Sequence, residues 1–506
     1  MTIRNPSTKL RTAPALALLL SGCTVGPDFV RPSAPHVSRY TETPPSATVA
    51  AATVAGGEPQ HFIDGQDIPG EWWQLFESPE LSALVERALQ ANPDLKAAEA
   101  ALTVAHEDML AQRGAYYPTA SASLTAGRSK TSAELSPTPS SGALLFNLFT
   151  PDVSVSFVPD VFGLDRRLVE SLSAAEQQTR FELTATYLAL TANVVVAAIQ
   201  EAGLREQIGA TRELIATEEK GLEVLRQQEA HGYVGRLDVA AEQAQLAQAS
   251  ATLPPLLKAL AQQRDLLAAL SGALASERLP EQFELSRLKL PQALPLSVPS
   301  RLVEQRPDVR QAEENLHIAS AQIGVAVASR LPSFTITADI GAVAVALSSL
   351  SSSDAGFWNV GSQVAQPIFQ GGALLHKERA ARAAYRRARE QYRSAVIAAF
   401  QNVADTLAAL EHDAEALRAS ASSAAAAKVT LDVARTQQRA GYLGYLQLLS
   451  AEQGYETAIS AQVQAQTNRF IDTVALFQAL GGGWWNRSDT RMGGLRGEHE
   501  RQSAVP

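Results

Sequence analysis

The chain has 506 residues, 46% of them hydrophobic, with a formal net charge of −9 and one cysteine. A negative charge of this size excludes nucleic acid as an expected partner, because phosphate backbones are bound through an excess of Lys and Arg. A single cysteine excludes an internal disulfide, so in an exported protein the thiol of Cys23 must have another use.

The N-terminus predicts an exported, lipidated protein. Basic residues precede a short apolar core at 13–20, which is too short to span a bilayer as a mature helix. The core ends in Leu20-Ser21-Gly22-Cys23, a small-residue cleavage site followed directly by cysteine, which resembles the lipobox of bacterial lipoproteins. We therefore predict that the signal peptide 1–22 is removed and that Cys23 carries a diacylglyceryl group on its sulfur and an acyl chain on its amine. The alternative is an ordinary secretory signal with an incidental cysteine.

Three segments have neither a helical nor a strand period. Residues 23–70 are rich in Pro, Thr and Ala and predict an extended tether behind the lipidated end. Residues 276–297 are proline-rich and predict a linker, while the polar residues 486–506 predict a disordered tail. After the tether, Ser78-Pro79 has the pattern of an N-cap with proline at the first helical position, and we expect helix to about residue 115.

The body of the chain contains an internal sequence duplication. Residues 307–313 repeat the pattern of 93–99, which is Pro-Asp, three residues and Ala-Glu, 214 positions later (307 − 93). A Gly-Tyr-x-Gly sequence then occurs at the corresponding place in each half. We therefore predict two structural repeats, 71–275 and 298–485, which at about 200 residues each are far longer than solenoid repeats and build one pseudo-symmetric body.

Each repeat contains one predicted β-hairpin. Residues 152–158 alternate polar and apolar side chains, the pattern of a strand with one apolar and one polar face. The four predicted strands are 118–128, 151–161, 332–345 and 357–369. If these strands belong to a transmembrane β-barrel, the loops between them, 129–150 and 346–356, are expected to face the outside of the cell, because the longer loops of transmembrane β-barrels lie there.

The strands predict how the chain crosses a membrane. No stretch of 18 or more apolar residues follows the signal peptide, so we expect no transmembrane helix. Four strands from one chain leave open edges that lipid does not tolerate, so closure needs several chains. Three copies would give a twelve-stranded barrel, an even number in the usual range.

Long proline-free segments follow each hairpin, at 164–230 and 374–440. Helices of this size would be on the order of 100 Å long. The return segment of the first half has apolar residues at every seventh position, the pattern of a coiled-coil stripe: Val239, Leu246, Leu253, Leu260 and Leu267. A dimeric coiled-coil rod would explain this repeat but neither the strands nor the lipobox. Pro254-Pro255 interrupts the stripe, and we expect the helix to kink or break there.

Several long motifs resemble the outer-membrane efflux protein family, the TolC-like channels, and within it the NodT-type lipoproteins that serve RND pumps. The resemblance extends over residues 23–485 and is carried by motifs at 23–32, 298–313, 322–326, 366–372 and 479–485. It implies a mixed α/β membrane protein: a trimeric, twelve-stranded β-barrel with four strands per chain, continuous with a long periplasmic α-helical barrel.

The resemblance also implies the function. The chain would be a passive exit duct for drugs or other small toxic compounds, anchored by lipid in the outer membrane of a Gram-negative bacterium. Its partners would be two further copies in a homotrimer, a periplasmic adaptor and an inner-membrane RND pump. The family gives no reason to expect a catalytic residue, a metal or a cofactor, so the lipid on Cys23 is the one covalent addition that we expect.

A gate is expected at the tips of the two helical hairpins, at about 231–238 and 440–450. In the family, acidic residues near these tips often ring the pore. Here the first tip has Asp238, whereas Gln447 and Ser450 stand where an Asp is common in the second.

We therefore predict a gate of three carboxylates, one Asp238 from each copy, which would favour cations. The predicted restraints on this gate are Arg236 and one of the tip tyrosines, Tyr233, Tyr442 or Tyr445. The alternative is that both turns are connectors that only seat the adaptor.

Two other kinds of function remain open at this point. An exported lipoprotein enzyme is one, although the chain has no H-E-x-x-H, no G-x-S-x-G and no Gly-rich phosphate loop, and its eight histidines are scattered. The other is a TolC-like duct for type I protein secretion or for metal-ion efflux. Sequence discriminates poorly between ducts, whereas neighbouring genes for an adaptor and an RND pump would decide.

Overall fold

The computed structural model describes residues 24–43, 47–51, 54–130, 145–277 and 279–487. The predicted signal peptide, Cys23 and nearly all of the predicted tail lie outside the described residues, so the interpretation of these segments stays a prediction. The chain divides into two compact units. The strand-bearing unit comprises the described parts of Met1–Arg31, Leu102–Gln178 and Ala312–Tyr392, and the tip-bearing unit comprises those of Pro32–Ala101, Thr179–Gln311 and Arg393–Pro506.

The order of elements repeats. In chain order they are β1 (His61–Asp64), α1 (Pro79–Ala91), α2 (Pro93–Arg113), β2 (Thr119–Lys130), β3 (Leu145–Phe157), α3 (Leu164–Ala230), α4 (Arg236–Leu270), β4 (Ala293–Leu296), α5 (Pro299–Gln305), α6 (Pro307–Ala328), β5 (Ser333–Ala342), β6 (Gly356–Ala365), α7 (Ala373–Arg439) and α8 (Tyr445–Ala479). Each half is thus two helices, a hairpin and two long helices. The long helices match in length, with 67 residues in both α3 and α7 and 35 in both α4 and α8.

The four longer strands form one antiparallel sheet in the strand-bearing unit, in the order β2-β3-β5-β6. The alternation of side chains predicted these strands, but their ends differ from the prediction. β3 begins at Leu145 rather than at 151 and ends at Phe157, before Pro159. β5 ends at Ala342 rather than at 345, and β6 ends at Ala365 rather than at 369, because Pro367 has no N–H to donate to a neighbouring strand.

The helix expected to run from Pro79 to about residue 115 is in fact two helices, and that expectation was wrong. Ser78 caps α1 as predicted, with its side chain accepting a 3.2 Å hydrogen bond from the N–H of Leu81. Asn92 then leaves the helical conformation, because Pro93 follows it. Its side-chain oxygen accepts from the N–H groups of Asp94 and Leu95 at 2.9 and 3.1 Å, so the same residue caps α2.

We expected a kink or a break at Pro254-Pro255. The break is absent, since α4 is continuous from Arg236 to Leu270, and a kink stays a prediction. Two adjacent prolines deprive the carbonyl oxygens of Ser250 and Ala251 of their helical donors. Both of these residues are exposed in the single chain, so water can replace the missing donors. The helix therefore tolerates two prolines at a place where the affected carbonyl groups are exposed to solvent.

The predicted tether and linker are not free of strands. β1 lies in the first and β4 in the second, and they pair in parallel from His61↔Ala293 to Asp64↔Leu296. The tether is also fixed by Arg469 of α8, which is fully buried and donates to the Thr48 hydroxyl at 3.0 Å and to the Glu58 carbonyl oxygen at 2.6 Å. Four-residue strands give too short an alternation to be recognised, and their partners are distant in sequence.

Aromatic side chains form the core of the tip-bearing unit. Trp72 and Phe477 stack with their ring centroids 5.3 Å apart, and both are almost completely buried. Among the described helices, α3 has an 18-residue window that is apolar enough to cross a membrane, with a mean hydropathy of 1.5, although it contains no unbroken apolar run of that length. Because 67% of that window is buried within the protein, it has the character of a core helix.

Candidate functional site

The sheet has one apolar face. Ala122, Val153, Ile340 and Trp358 are directly paired neighbours across the four strands, so their side chains lie on the same side of the sheet. Val153, Ile340 and Trp358 are 45%, 63% and 76% exposed, although all three are large and apolar. An exposed apolar surface that continues across every strand is suited to contact with lipid.

The opposite face is polar. One residue along each strand, Ser121, Ser154, Asp339 and Asn359 form the corresponding row. The hydroxyl oxygens of Ser121 and Ser154 lie 2.9 Å apart and share a hydrogen bond. Such a face is suited to water, so the sheet has the two sides of a wall between lipid and an aqueous lumen.

The sheet is open at both outer strands. Among the described residues β2 pairs with β3 alone and β6 with β5 alone, and all twelve residues of β2 are exposed. The outer backbone groups of β2 and β6 therefore need partners before this surface can lie in lipid.

The two hairpin tips have the same backbone design. Gly232 and Gly441 adopt positive φ values of +77° and +78°, which lets the chain reverse directly after α3 and α7. Gly235 and Gly444 then precede the first residues of α4 and α8. The second turn is shorter than the predicted 440–450, because residues 445–450 are already helical.

The predicted gate residues have different surroundings. Tyr233 and Tyr442 are 81% and 86% exposed, and Arg236 is also exposed. The carboxylate of Asp238 accepts a 3.1 Å hydrogen bond from the N–H of Gly235, so its partner among the described residues is its own turn rather than Arg236 or a tyrosine. Tyr445 is half-buried and lies close to Gly221 of α3. A single chain thus does not bring the five residues together.

A group that sequence reasoning missed lies among the helices beside the tips. Glu218 of α3, Glu242 of α4 and Glu452 of α8 are 1%, 1% and 5% exposed, and the carboxyl of Glu218 is within hydrogen-bonding reach of the other two. Burial raises the pKa of the Glu218 carboxyl to about 9, and the charges of Glu452 and Glu242 act in the same direction. Burial also raises the pKa of Glu452, although the guanidinium of Arg435 opposes this.

The sequence contains a signal for this group. Glu242 follows Val239 by three positions, as Ala249 follows Leu246, so Glu242 and Ala249 lie on a second seam beside the coiled-coil stripe. A charged residue at a seam position is buried by the same packing that buries its apolar equivalents. We name Glu218, Glu242 and Glu452 the carboxyl cluster.

The segment that follows Cys23 is held within the strand-bearing unit. The buried guanidinium of Arg167 donates to the carbonyl oxygens of Val25 and Gly26 at 3.1 and 3.3 Å and to the Asp28 carboxylate at 2.8 Å. Phe29 stacks on the ring of His317, with centroids 4.3 Å apart. Hydrogen bonds to carboxylates on α3 and α6 raise the pKa of this imidazole to about 9, so the ring is a cation at neutral pH.

The described residues contain no group of three or more His, Cys, Asp or Glu side chains that could hold a metal ion.

Comparison with known proteins gives consistent results. The family model described as outer membrane efflux protein matches residues 84–273 and 298–482. The toluene efflux pump outer membrane protein TtgF of Pseudomonas putida is 30% identical over 486 residues, which is 94% of this chain and 97% of that protein. The probable outer membrane lipoprotein SilC of Salmonella typhimurium is 26% identical, covering 92% and 97%. The solved outer-membrane channel OprN superposes with a TM-score of 0.80 at 26% identity, covering 91% and 100%.

Proposed function

Because the chain belongs to the outer membrane efflux protein family, we propose that it is the exit duct of a tripartite efflux system, through which small toxic compounds pass passively from the periplasm to the exterior. The protein has the fold of outer-membrane efflux channels and lies in the outer membrane of a Gram-negative bacterium. The observation that carries the proposal is the sheet with one apolar face, one polar face and two open edges.

The open edges support a homotrimer. Each copy contributes four strands, and edge-to-edge pairing of β6 with β2 of the next copy satisfies the outer backbone groups. Three copies then close a twelve-stranded barrel whose apolar face meets lipid and whose polar face lines the lumen.

The tips are proposed to bind a periplasmic adaptor, and through it an inner-membrane RND pump. Their exposed side chains include large apolar groups, which are costly to leave in water and suited to a protein contact: Tyr233, Leu237, Tyr442 and Leu446. We also propose that Asp238 contributes one carboxylate per copy to the gate, since the turns hold it near the tips. The duct performs no chemical step.

The anchor is proposed to be lipid on Cys23. The contacts of Arg167 with Val25, Gly26 and Asp28 fix the chain directly after that residue. A relative that is named a probable lipoprotein supports the same reading. Two or three acyl chains give stable anchoring, whereas one gives only marginal binding.

The cargo is proposed to be small organic toxicants, a class that includes the toluene named for TtgF. The test is to express the full chain with its adaptor and pump in a strain that lacks its own outer-membrane efflux duct. We expect tolerance of toluene and antibiotics to return, and to disappear again when only the duct is omitted. A correctly inserted protein that restores no tolerance with both partners present would contradict the proposal.

A further inference from the structure

The carboxyl cluster contains more potential negative charges than positive charges to balance them. Arg435 of α7 donates to Glu452 at 3.2 Å, and among the described residues this is the cation that reaches the cluster. Three ionised carboxyls beside one guanidinium would leave two uncompensated negative charges in a buried place, which is strongly unfavourable.

The cluster also has too few hydrogen-bond donors. In the described part of the chain neither oxygen of Glu218 receives a hydrogen bond, and Oε2 of Glu242 receives none, although all three atoms are buried. A protonated carboxyl is itself a donor, and it can supply the missing hydrogen bond to its neighbour. Protons held between the carboxyls therefore remove both deficits at once.

Gly221 shows that the close approach is built into the helices. A Cβ atom at this position of α3 would lie 2.7 Å from Oε1 of Glu242, and 3.6 Å from the hydroxyl oxygen of Tyr445. The missing side chain thus makes room for the carboxyl of α4 against the backbone of α3. Burial raises the pKa of the Tyr445 phenol above its ordinary value, and the nearby Glu242 adds to this, so Tyr445 is neutral here.

The cluster lies between two separate apolar cores. Leu222, Leu225 and Val239 form the core of the first hairpin, made by α3 and α4. Leu431, Ala434 and Leu448 form that of the second, made by α7 and α8. Tyr445 packs against both cores, so a change at the cluster acts on the contact between hairpins rather than on either hairpin alone.

We propose that Glu218, Glu242 and Glu452 hold shared protons when the two hairpins are packed together, and that loss of these protons drives the hairpins apart beside the tips. The groups that face the cluster are supplied by all four long helices: Glu218 from α3, Glu242 from α4, Arg435 from α7, and Tyr445 and Glu452 from α8. The proposed change in hairpin packing is a property of the folded chain and does not depend on what the chain transports. Only the consequence for passage through the tips rests on the proposed function.

The direction of the pH effect follows from linkage. The packed hairpins bind protons more tightly than separated ones, because the pKa of Glu218 is about 9 when buried and returns toward its ordinary value of 4.5 in water. Packing is therefore fully stabilised below the lower value and loses stability as the pH rises toward the higher one. The two hairpins are therefore expected to pack together beside the tips in acid and to loosen in alkali.

Hydrogen–deuterium exchange of the purified full-length protein tests this without requiring transport. After correction for the intrinsic pH dependence of exchange, amides of α3, α4, α7 and α8 near the cluster should exchange about tenfold faster or more at about pH 9 than at about pH 6. Strand amides should not change. The glutamine variants Glu218→Gln and Glu242→Gln, which imitate the protonated carboxyl, should lose the difference. Glu219→Gln, an exposed neighbour on α3, should retain it.

Three outcomes would overturn the proposal: equal protection at both pH values in the parent, the same pH difference in the glutamine variants, or equal loosening of the strands. Infrared spectroscopy provides a second measurement that needs no variant. The parent should show the C=O stretch of protonated carboxyls at neutral pH and lose it in alkali, and absence of that band would contradict shared protons. A protein that fails to export but passes these tests would refute the proposed function and leave the proton-dependent packing in place.

Discussion

The backbone N–H of Gly235 donates a 3.1 Å hydrogen bond to Oδ2 of Asp238. Asp238 is the third residue of α4, so its carboxylate closes the first turn of the helix and lies at the positive end of the helix dipole. Gln447 has the corresponding position in α8, as the third residue after Gly444. In the first tip, Asp238 therefore both caps the helix and carries a negative charge. In the second tip, the side-chain amide of Gln447 carries no charge.

Substitutions at Asp238 separate these two properties. Asp238→Asn keeps an oxygen that accepts from Gly235 but removes the charge at the helix N-terminus, so we expect a loss of at most about 0.3–1 kcal/mol of stability. Cation selectivity should fall, measured as the reversal potential across a salt gradient in planar bilayers. Asp238→Ala should lose selectivity too and cost about 1 kcal/mol of local helix stability or more, because it removes both the hydrogen bond to Gly235 and the charge at the helix N-terminus. Arg236→Ala should raise the resting conductance. If the Asn variant selects cations like the parent, the gate lies elsewhere.

The anchor is tested at Cys23. Mass spectrometry of the N-terminal peptide should find cleavage before this residue, a diacylglyceryl thioether and an acylated amine. Cys23→Ser should prevent lipidation yet leave the channel architecture intact, because the strands themselves anchor the protein in the membrane. A free thiol in the mature protein, or cleavage at another position, would show that the lipobox pattern is incidental.

The two faces of the sheet should respond differently to charge. Ile340→Lys places a cation on the apolar face, where the cost is about 2–4 kcal/mol at the bilayer midplane and falls toward the interfaces. We expect less folded protein in membranes and lower resistance to urea in lipid. Asp339→Lys, one residue away on the polar face, places the same cation there, so it is the matched control and should fold like the parent. Equal tolerance of both changes would mean that this face does not meet lipid.

Gly221 and Gly209 lie on the same helix and offer a matched pair. No atom lies within 4 Å of a Cβ built at Gly209, so Gly209→Ala should stabilise α3 by about 0.5–1 kcal/mol. Gly221→Ala should not give this gain, because its Cβ would displace the carboxyl of Glu242 from a buried position. Thermal unfolding of both variants at neutral pH is the measurement. An equal gain at Gly221 would mean that Glu242 can move away freely.

The long elements could be predicted from sequence because their signals are local. The proline-free run 164–230 coincides with α3, and alternation at 152–158 identified β3. The helix break at Pro93 could have been predicted as well, because the residue before a proline disfavours the helical conformation. The two prolines of α4 show the opposite case. The rule that prolines end a helix failed there, because the carbonyl groups that lose their helical donors are exposed to water.

The remaining features depend on contacts between distant residues. β1 and β4 are four residues each and are defined by their pairing, from His61↔Ala293 onward. The carboxyl cluster draws Glu218, Glu242 and Glu452 from three helices, and only the seam position of Glu242 is visible in the sequence. The Asp238 gate stays a prediction, because its geometry requires copies of the chain that a single protomer does not supply.

The number of chains in the assembled protein tests the central claim most directly. Native mass spectrometry of the protein released from detergent should give three copies, because three sets of four strands close the barrel and remove the open edges of β2 and β6. A monodisperse monomer that retains the full strand content, measured by circular dichroism on the same sample, would contradict a duct built from this sheet.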